Sequence, residues 1–124
     1  MNDIPITPVL VIDPKKHRIR LHRKTLYALN QPQFVQLLIN PEKNTLVVKP
    51  CGKFDRCANK LHWEDAQCCE LYSTSFIIQM CQLFGYSHDQ PYKINGEVIR
   101  QEQATIFPLD KAIPMTIEEY MNEE

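Results

Sequence analysis

Hydrophobic and polar positions alternate most strictly over residues 17–22, His17-Arg18-Ile19-Arg20-Leu21-His22. A period of two is that of a β-strand. Ile19 and Leu21 are therefore expected to face a core, and Arg18, Arg20 and His22 to project from the opposite face. Upstream, residues 6–12 form a β-branched, apolar run, and Asp13-Pro14-Lys15-Lys16 carries a type I turn signal, so the two segments read as a hairpin whose second strand has a basic outer face. Over residues 23–30 the spacing changes to that of a short helix, with Leu26 and Leu29 on one side. Asn30 suits a left-handed C-terminal residue, and Pro32 blocks continuation. Strands are predicted over 34–39 and 45–49. Between them Pro41 presets a turn and Asn44 supplies a positive φ.

Residues 50–72 show no clean period and read as a connector with at most one short element. They hold Pro50, Gly52, His62, the single tryptophan Trp63 and Cys51, Cys57, Cys68 and Cys69. A second helix follows, capped by Ser73 or Thr74, striped by Phe76, Ile77, Met80, Cys81 and Phe84, and ended by Gly85. Residues 92–99 and 104–109 are expected to form a second hairpin with Gly96 as a candidate bulge. The acidic stretch 115–124 reads as a frayed helix or a disordered tail. Residues 1–114 are thus read as a single domain, with the tail beyond it.

An internal repeat organises these elements. Residues 18–50 run strand, helix, strand, turn, strand, and residues 70–109 run through an extended lead-in, helix, strand, turn, strand. The predicted fold is α+β: a small, β-rich, barrel-like core from two pseudo-repeated strand–helix–hairpin units (about 17–50 and 73–110, joined by connector 51–72), capped by two helices. In the first unit, Arg18-Ile19-Arg20-Leu21 leads a strand, Ala28-Leu29-Asn30 ends a helix and Leu46-Val47-Val48-Lys49-Pro50 closes a hairpin. This order resembles the swapped-hairpin DNA-binding domains of the AbrB/SpoVT type, including the MazE-like antitoxins and the duplicated MraZ proteins. Departures from that pattern are His17 for its leading glycine, His22 for proline, Leu26 for the helix arginine and Asn30 for the closing glycine. The resemblance implies a bacterial or phage-borne transcription regulator, with Arg18 and Arg23 matching two of the family's basic positions.

Composition narrows the class. Hydrophobic residues make up 44% and charged residues 23%, as in ordinary globular domains. No apolar run approaches the length of a bilayer span, and Asp3, Pro5 and Pro8 interrupt any secretory leader, so a cytoplasmic protein with no membrane partner is expected. An odd count of five cysteines points the same way, to free thiols rather than a disulfide framework. Charge is split: residues 1–60 carry eleven Lys/Arg against four Asp/Glu, and residues 61–124 carry three against eleven.

The basic run Lys15, Lys16, Arg18, Arg20, His22, Arg23 and Lys24 is the main candidate site. Such a stripe suits phosphate contacts, and arginines can read guanine edges. The bland reading is a solvated sheet face, or a docking face for the acidic residues 118–124. Cys51, Cys57, His62, Cys68 and Cys69 are soft metal ligands, but their spacing lacks the paired C-x2-C pattern of zinc sites. Cys68 or Cys69 beside His62, oriented by Glu64 or Asp65, is the sole arrangement resembling a nucleophile pair, and nothing local favours it. With three glycines there is no phosphate-cradling loop. Trp63, Tyr72, Phe76, Phe84 and Tyr86 read as core and helix-packing residues. The sequence thus predicts a non-enzymatic protein without cofactor that binds double-stranded DNA. The alternative is an interaction module of the same fold that binds a protein partner or itself.

Overall fold

The computed structural model describes residues 7–63 and 68–116. In chain order the elements are β1 (Val9–Asp13), β2 (Arg18–His22), α1 (Arg23–Ala28), β3 (Phe34–Asn40), β4 (Thr45–Cys51), β5 (Asn59–Lys60), β6 (His62–Trp63), β7 (Cys68–Tyr72), α2 (Thr74–Phe84), β8 (Tyr92–Asn95), β9 (Glu97–Ile99), β10 (Ala104–Pro108) and β11 (Ile113–Pro114). The strands form two antiparallel sheets, one ordered β11-β8-β1-β2-β7-β6 and the other β5-β3-β4-β10-β9. The α+β class is as expected; the barrel-like closure is not. Among the described residues each sheet ends in short strands that pair on one side only, so both sheets stay open. Strands of two or three residues leave few unpaired backbone groups, which is how open sheets limit edge-to-edge association.

One hydrophobic cluster joins the sheets and helices. Leu10, Ile12, Ile19, Leu21 and Leu71 come from the first sheet, Val35, Leu46, Val48 and Phe107 from the second, Leu26 from α1, and Ile77, Met80 and Cys81 from α2. Each large aliphatic side chain removed from water here contributes about 1.5–3 kcal/mol, so the pattern of buried positions dictates the arrangement. Helix α1 is tied down by Thr25, whose Oγ1 accepts from the Val9 N–H at 2.9 Å and donates to the Val9 carbonyl at 3.2 Å. The Ser73 hydroxyl accepts from the Phe76 N–H to start α2. Gly85, at φ 69°, ends it with an N–H donated to Cys81 O. Asn30 (φ 63°) and Asn44 (φ 51°) take the left-handed conformation predicted for them.

Two further expectations need correction. The stretch read as a connector supplies β5, β6 and β7, and β7 is an interior strand paired with β2 and β6. Its pattern Cys-Cys-Glu-Leu-Tyr hides the strand, because the polar Glu70 is itself buried. The expected hairpin of 92–99 with 104–109 forms only in part: Glu97–Ile99 pairs with Ala104–Ile106 as predicted, whereas Tyr92–Asn95 joins the other sheet. Asn95 pairs with Val9 of β1, while Glu97 pairs with Ile106 of β10, so the chain passes from one sheet to the other at Gly96. A Cβ at Gly96 would lie 2.5 Å from the Ile106 carbonyl oxygen and 2.7 Å from the Phe107 ring, which is why the crossing requires glycine. The tail expected over 115–124 lies mostly outside the described residues; within them, Met115 is buried.

The basic strand as a candidate nucleic-acid interface

The turn before β2 presents its cations to solvent. Pro14–Lys16 make a single 3-10 turn closed by His17 at φ 53°, and Lys15, Lys16 and His17 are all exposed. Strand β2 behaves differently. Arg18 lies across from Asp13 on β1 and Tyr72 on β7, and Arg20 lies across from Val11 and Glu70. Arg18 Nε contacts Asp13 Oδ2 at 3.2 Å, and its Nη1 contacts Glu70 Oε1 at 2.9 Å. Arg20 Nε reaches the same Glu70 oxygen at 3.4 Å. The Tyr72 hydroxyl donates to Glu70 Oε2 at 2.5 Å. Arg18 and Arg20 are only 8% and 6% exposed, Asp13 4% and Glu70 3%.

The alternation therefore gives the face of β2 correctly, but not its environment. Arg18 and Arg20 do not form a solvent-facing basic stripe. Flanking strands bring two carboxylates against the two guanidinium groups, and charge-assisted hydrogen bonds offset the cost of removing these charges from water. His22 serves a local purpose: its Nδ1 accepts the Lys24 N–H at 3.2 Å and caps α1. Arg23 is half-buried and Lys24 exposed. The predicted basic run is thus divided into an exposed group at the turn, a buried ion-pair network along the strand and a second basic group at the start of α1.

Among the described residues the cysteine–histidine set is not assembled. Cys69 is fully buried toward the core, Cys51 is half-buried at the end of β4 and Cys57 is exposed. Strand register places His62 opposite Glu70 and Trp63 opposite Cys69, so His62 belongs to the face with Glu70 rather than with the Cys69 thiol. Among the described residues no group of three or more His, Cys, Asp or Glu is placed to hold a metal ion. Glu64 and Asp65 lie outside the described residues, as do the side chains of Trp63 and Cys68 and the acidic residues 118–124. Burial pushes the Cys51 thiol up, with Asp55 adding to the effect, and burial alone raises Cys81. Both shifts favour the protonated thiol over the nucleophilic thiolate.

Of the aromatic residues assigned to the core, Phe76 and Phe84 pack against it and Tyr86 is buried. The Tyr86 ring stacks between Phe84 and Tyr92, at centroid distances of 5.9 and 4.7 Å, and its hydroxyl donates to the Leu109 carbonyl. Tyr72 instead is 55% exposed, holding Glu70 through its hydroxyl. The residues that sequence reasoning missed are Asp13 and Glu70, the partners of the arginines, and Phe54. Phe54 is 93% exposed in the loop between β4 and β5, with Lys53 Nζ 5.6 Å from its ring centre. Its flanking Lys53 and Arg56 were the available signal for a basic–aromatic surface.

Among the described residues no helix is long and apolar enough to cross a membrane. Compared with known protein families, with curated proteins and with solved structures, the chain matches none of them.

Proposed function

We propose that the chain is a non-enzymatic DNA-binding protein of the transcription-regulator kind. It is built from two strand–helix–hairpin units and holds duplex phosphates from the cations that flank β2. The observation that carries the binding surface is the exposed position of Lys15, Lys16 and Lys24 at the two ends of a strand whose own arginines are already neutralised. Phosphate neutralisation needs exposed cations, whereas base reading needs arginines whose paired donors reach the base edges. The surface therefore suits backbone contact more than sequence readout. The two-unit architecture draws support from strand pairing: β2 lies antiparallel to β7, and β4 antiparallel to β10. A pseudo-twofold axis would bring each element against its own counterpart in this antiparallel way. A cytoplasmic setting agrees with the exposed free thiol of Cys57.

Fluorescence anisotropy on random-sequence duplex DNA tests this reading. With about four phosphate contacts, log affinity should fall against log salt with a slope of about −3.6, or ~150-fold between 50 and 200 mM. Replacing Lys15, Lys16, Arg23 and Lys24 together by alanine should abolish binding. A slope unchanged in that variant, or no binding by the wild type at low salt, refutes the proposal. A protein-interaction module is the second reading, favoured by the burial of Arg18 and Arg20 in ion pairs. Its mark is partner binding or self-association that salt leaves intact.

A further inference from the structure

The loop between β4 and β5 combines features that the β2 surface lacks. Its backbone is fastened on both sides of Lys53 and Phe54. The Gly52 N–H donates to Asp55 Oδ2 at 2.6 Å, the Asp55 N–H to the Gly52 carbonyl at 3.1 Å, and the Ala58 N–H to the Asp55 carbonyl at 3.2 Å. Gln36 Nε2 donates to the Arg56 carbonyl at 2.7 Å, and Asn59 Nδ2 to the Cys57 and Val35 carbonyls at 3.1 and 3.3 Å. Phe54 is held out at the tip of this fastened loop, 93% exposed. Lys53 and Arg56 lie in the loop with it, Lys53 Nζ 5.6 Å from its ring centre, and Lys49 and Lys60 lie on the strands at either end of the loop; all four are exposed. Among the described residues none of these four cations has a carboxylate partner, and the loop's own acid, Asp55, is occupied by the Gly52 N–H. Beside the tip lies a cavity of about 530 Å³ lined by Gln33, Phe34, Lys53, Lys60 and Leu61, so a second, recessed aromatic ring shares two of the same cations.

An exposed phenyl ring is unfavourable in water, and fixing it on an ordered loop makes sense where a flat apolar surface will cover it. The surrounding positive charge requires that the covering molecule also be anionic. Single-stranded nucleic acid meets both demands, since its bases offer open π-faces between phosphates; in a duplex those faces are already stacked on one another. We infer that the loop around Phe54 is a single-stranded nucleic-acid site, with Phe54 stacking on a base and Lys49, Lys53, Arg56 and Lys60 holding the flanking phosphates. This surface is separate from the cations flanking β2, and the inference does not depend on duplex binding there.

The test is anisotropy of a short fluorescein-labelled oligo-dT with the full chain, alongside a duplex of equal length. Because Phe54 contacts solvent almost entirely, Phe54→Ala should leave the fold intact and weaken oligo-dT binding about 5- to 150-fold, with duplex binding unchanged. Phe54→Trp should keep or tighten binding. Unaltered oligo-dT affinity in Phe54→Ala overturns the proposal. So does displacement by poly-glutamate as effective as by unlabelled oligo-dT at equal charge, which would mark a surface for acidic protein. Duplex binding with no oligo-dT binding removes this site and leaves the β2 reading standing; oligo-dT binding with no duplex binding supports this site and removes the other.

Discussion

Glu70→Ala should be among the most damaging single substitutions in this chain. Glu70 is 3% exposed, accepts hydrogen bonds from Arg18 at 2.9 Å and Tyr72 at 2.5 Å, forms an ion pair with Arg20 at 3.4 Å, and sits on an interior strand. Its removal takes the shared carboxylate away from two buried guanidinium groups and deprives the Tyr72 hydroxyl of this acceptor. Breaking a buried ion pair from one side costs about 3–5 kcal/mol, against a total stability of about 5–15 kcal/mol for a domain. For a chain of 124 residues, an unfolding entropy of ~0.26 kcal/mol/K converts that loss into a fall in Tm of about 12–19 °C. Urea unfolding followed by circular dichroism should show the midpoint falling by about 2–3 M at an m-value of ~1.5 kcal/mol/M. Glu70→Gln separates charge from shape, because the amide oxygen can still accept one bond while the compensating charge is lost; it should remain strongly destabilising. A cost below about 1 kcal/mol for Glu70→Ala, the range of exposed ion pairs, would refute the assignment of this network as a buried structural element.

Two further outcomes are expected. Gly96→Ala forces a Cβ to within 2.5 Å of a backbone oxygen, so it should cost about 1–3 kcal/mol in chemical denaturation, as overpacking does. Burial, then Tyr92, Asp110 and Cys81, raise the Tyr86 phenol above its ordinary 10.0. The phenol is therefore neutral in the native state, and its contribution is complete below pH ~10 and lost as pH rises toward the folded-state value. Tyr86→Phe should lose about 1 kcal/mol at neutral pH with the hydrogen bond to Leu109, and its stability should decline less steeply above pH 10 in an alkaline unfolding series.

Local chemistry was the legible part of this fold. The left-handed Asn30 and Asn44, the capped α2 and its terminal Gly85, and the β3–β4 hairpin each depend on residues close together in sequence, so their signals survive in a single chain. Alternation likewise assigned Ile19 and Leu21 to the core. It could not reveal what covers the other face of β2, because the covering carboxylate at Glu70 lies 52 residues beyond Arg18. Glu70 lies on the arginines' own face of the sheet, opposite the core-facing Cys69 and Leu71, and so short an alternation does not announce a strand. Gly96 was flagged as irregular, but a bulge and a sheet crossing carry the same sequence mark, and only the identity of the partner strand separates them. Phe54 left only the signal of its basic neighbours Lys53 and Arg56, because nothing in a loop sequence tells whether an aromatic ring turns inward or out.

The crossing at Gly96 also bears on how the protein comes apart. One unbroken run of backbone, Tyr92 through Ile99, is stitched to β1 on one side of Gly96 and to β10 on the other. Neither sheet can peel away without loading this shared segment and so pulling on its neighbour. The two halves are thereby mechanically in series, and the amides of β8 and β9 should exchange with solvent through the same opening event rather than as independent foldons.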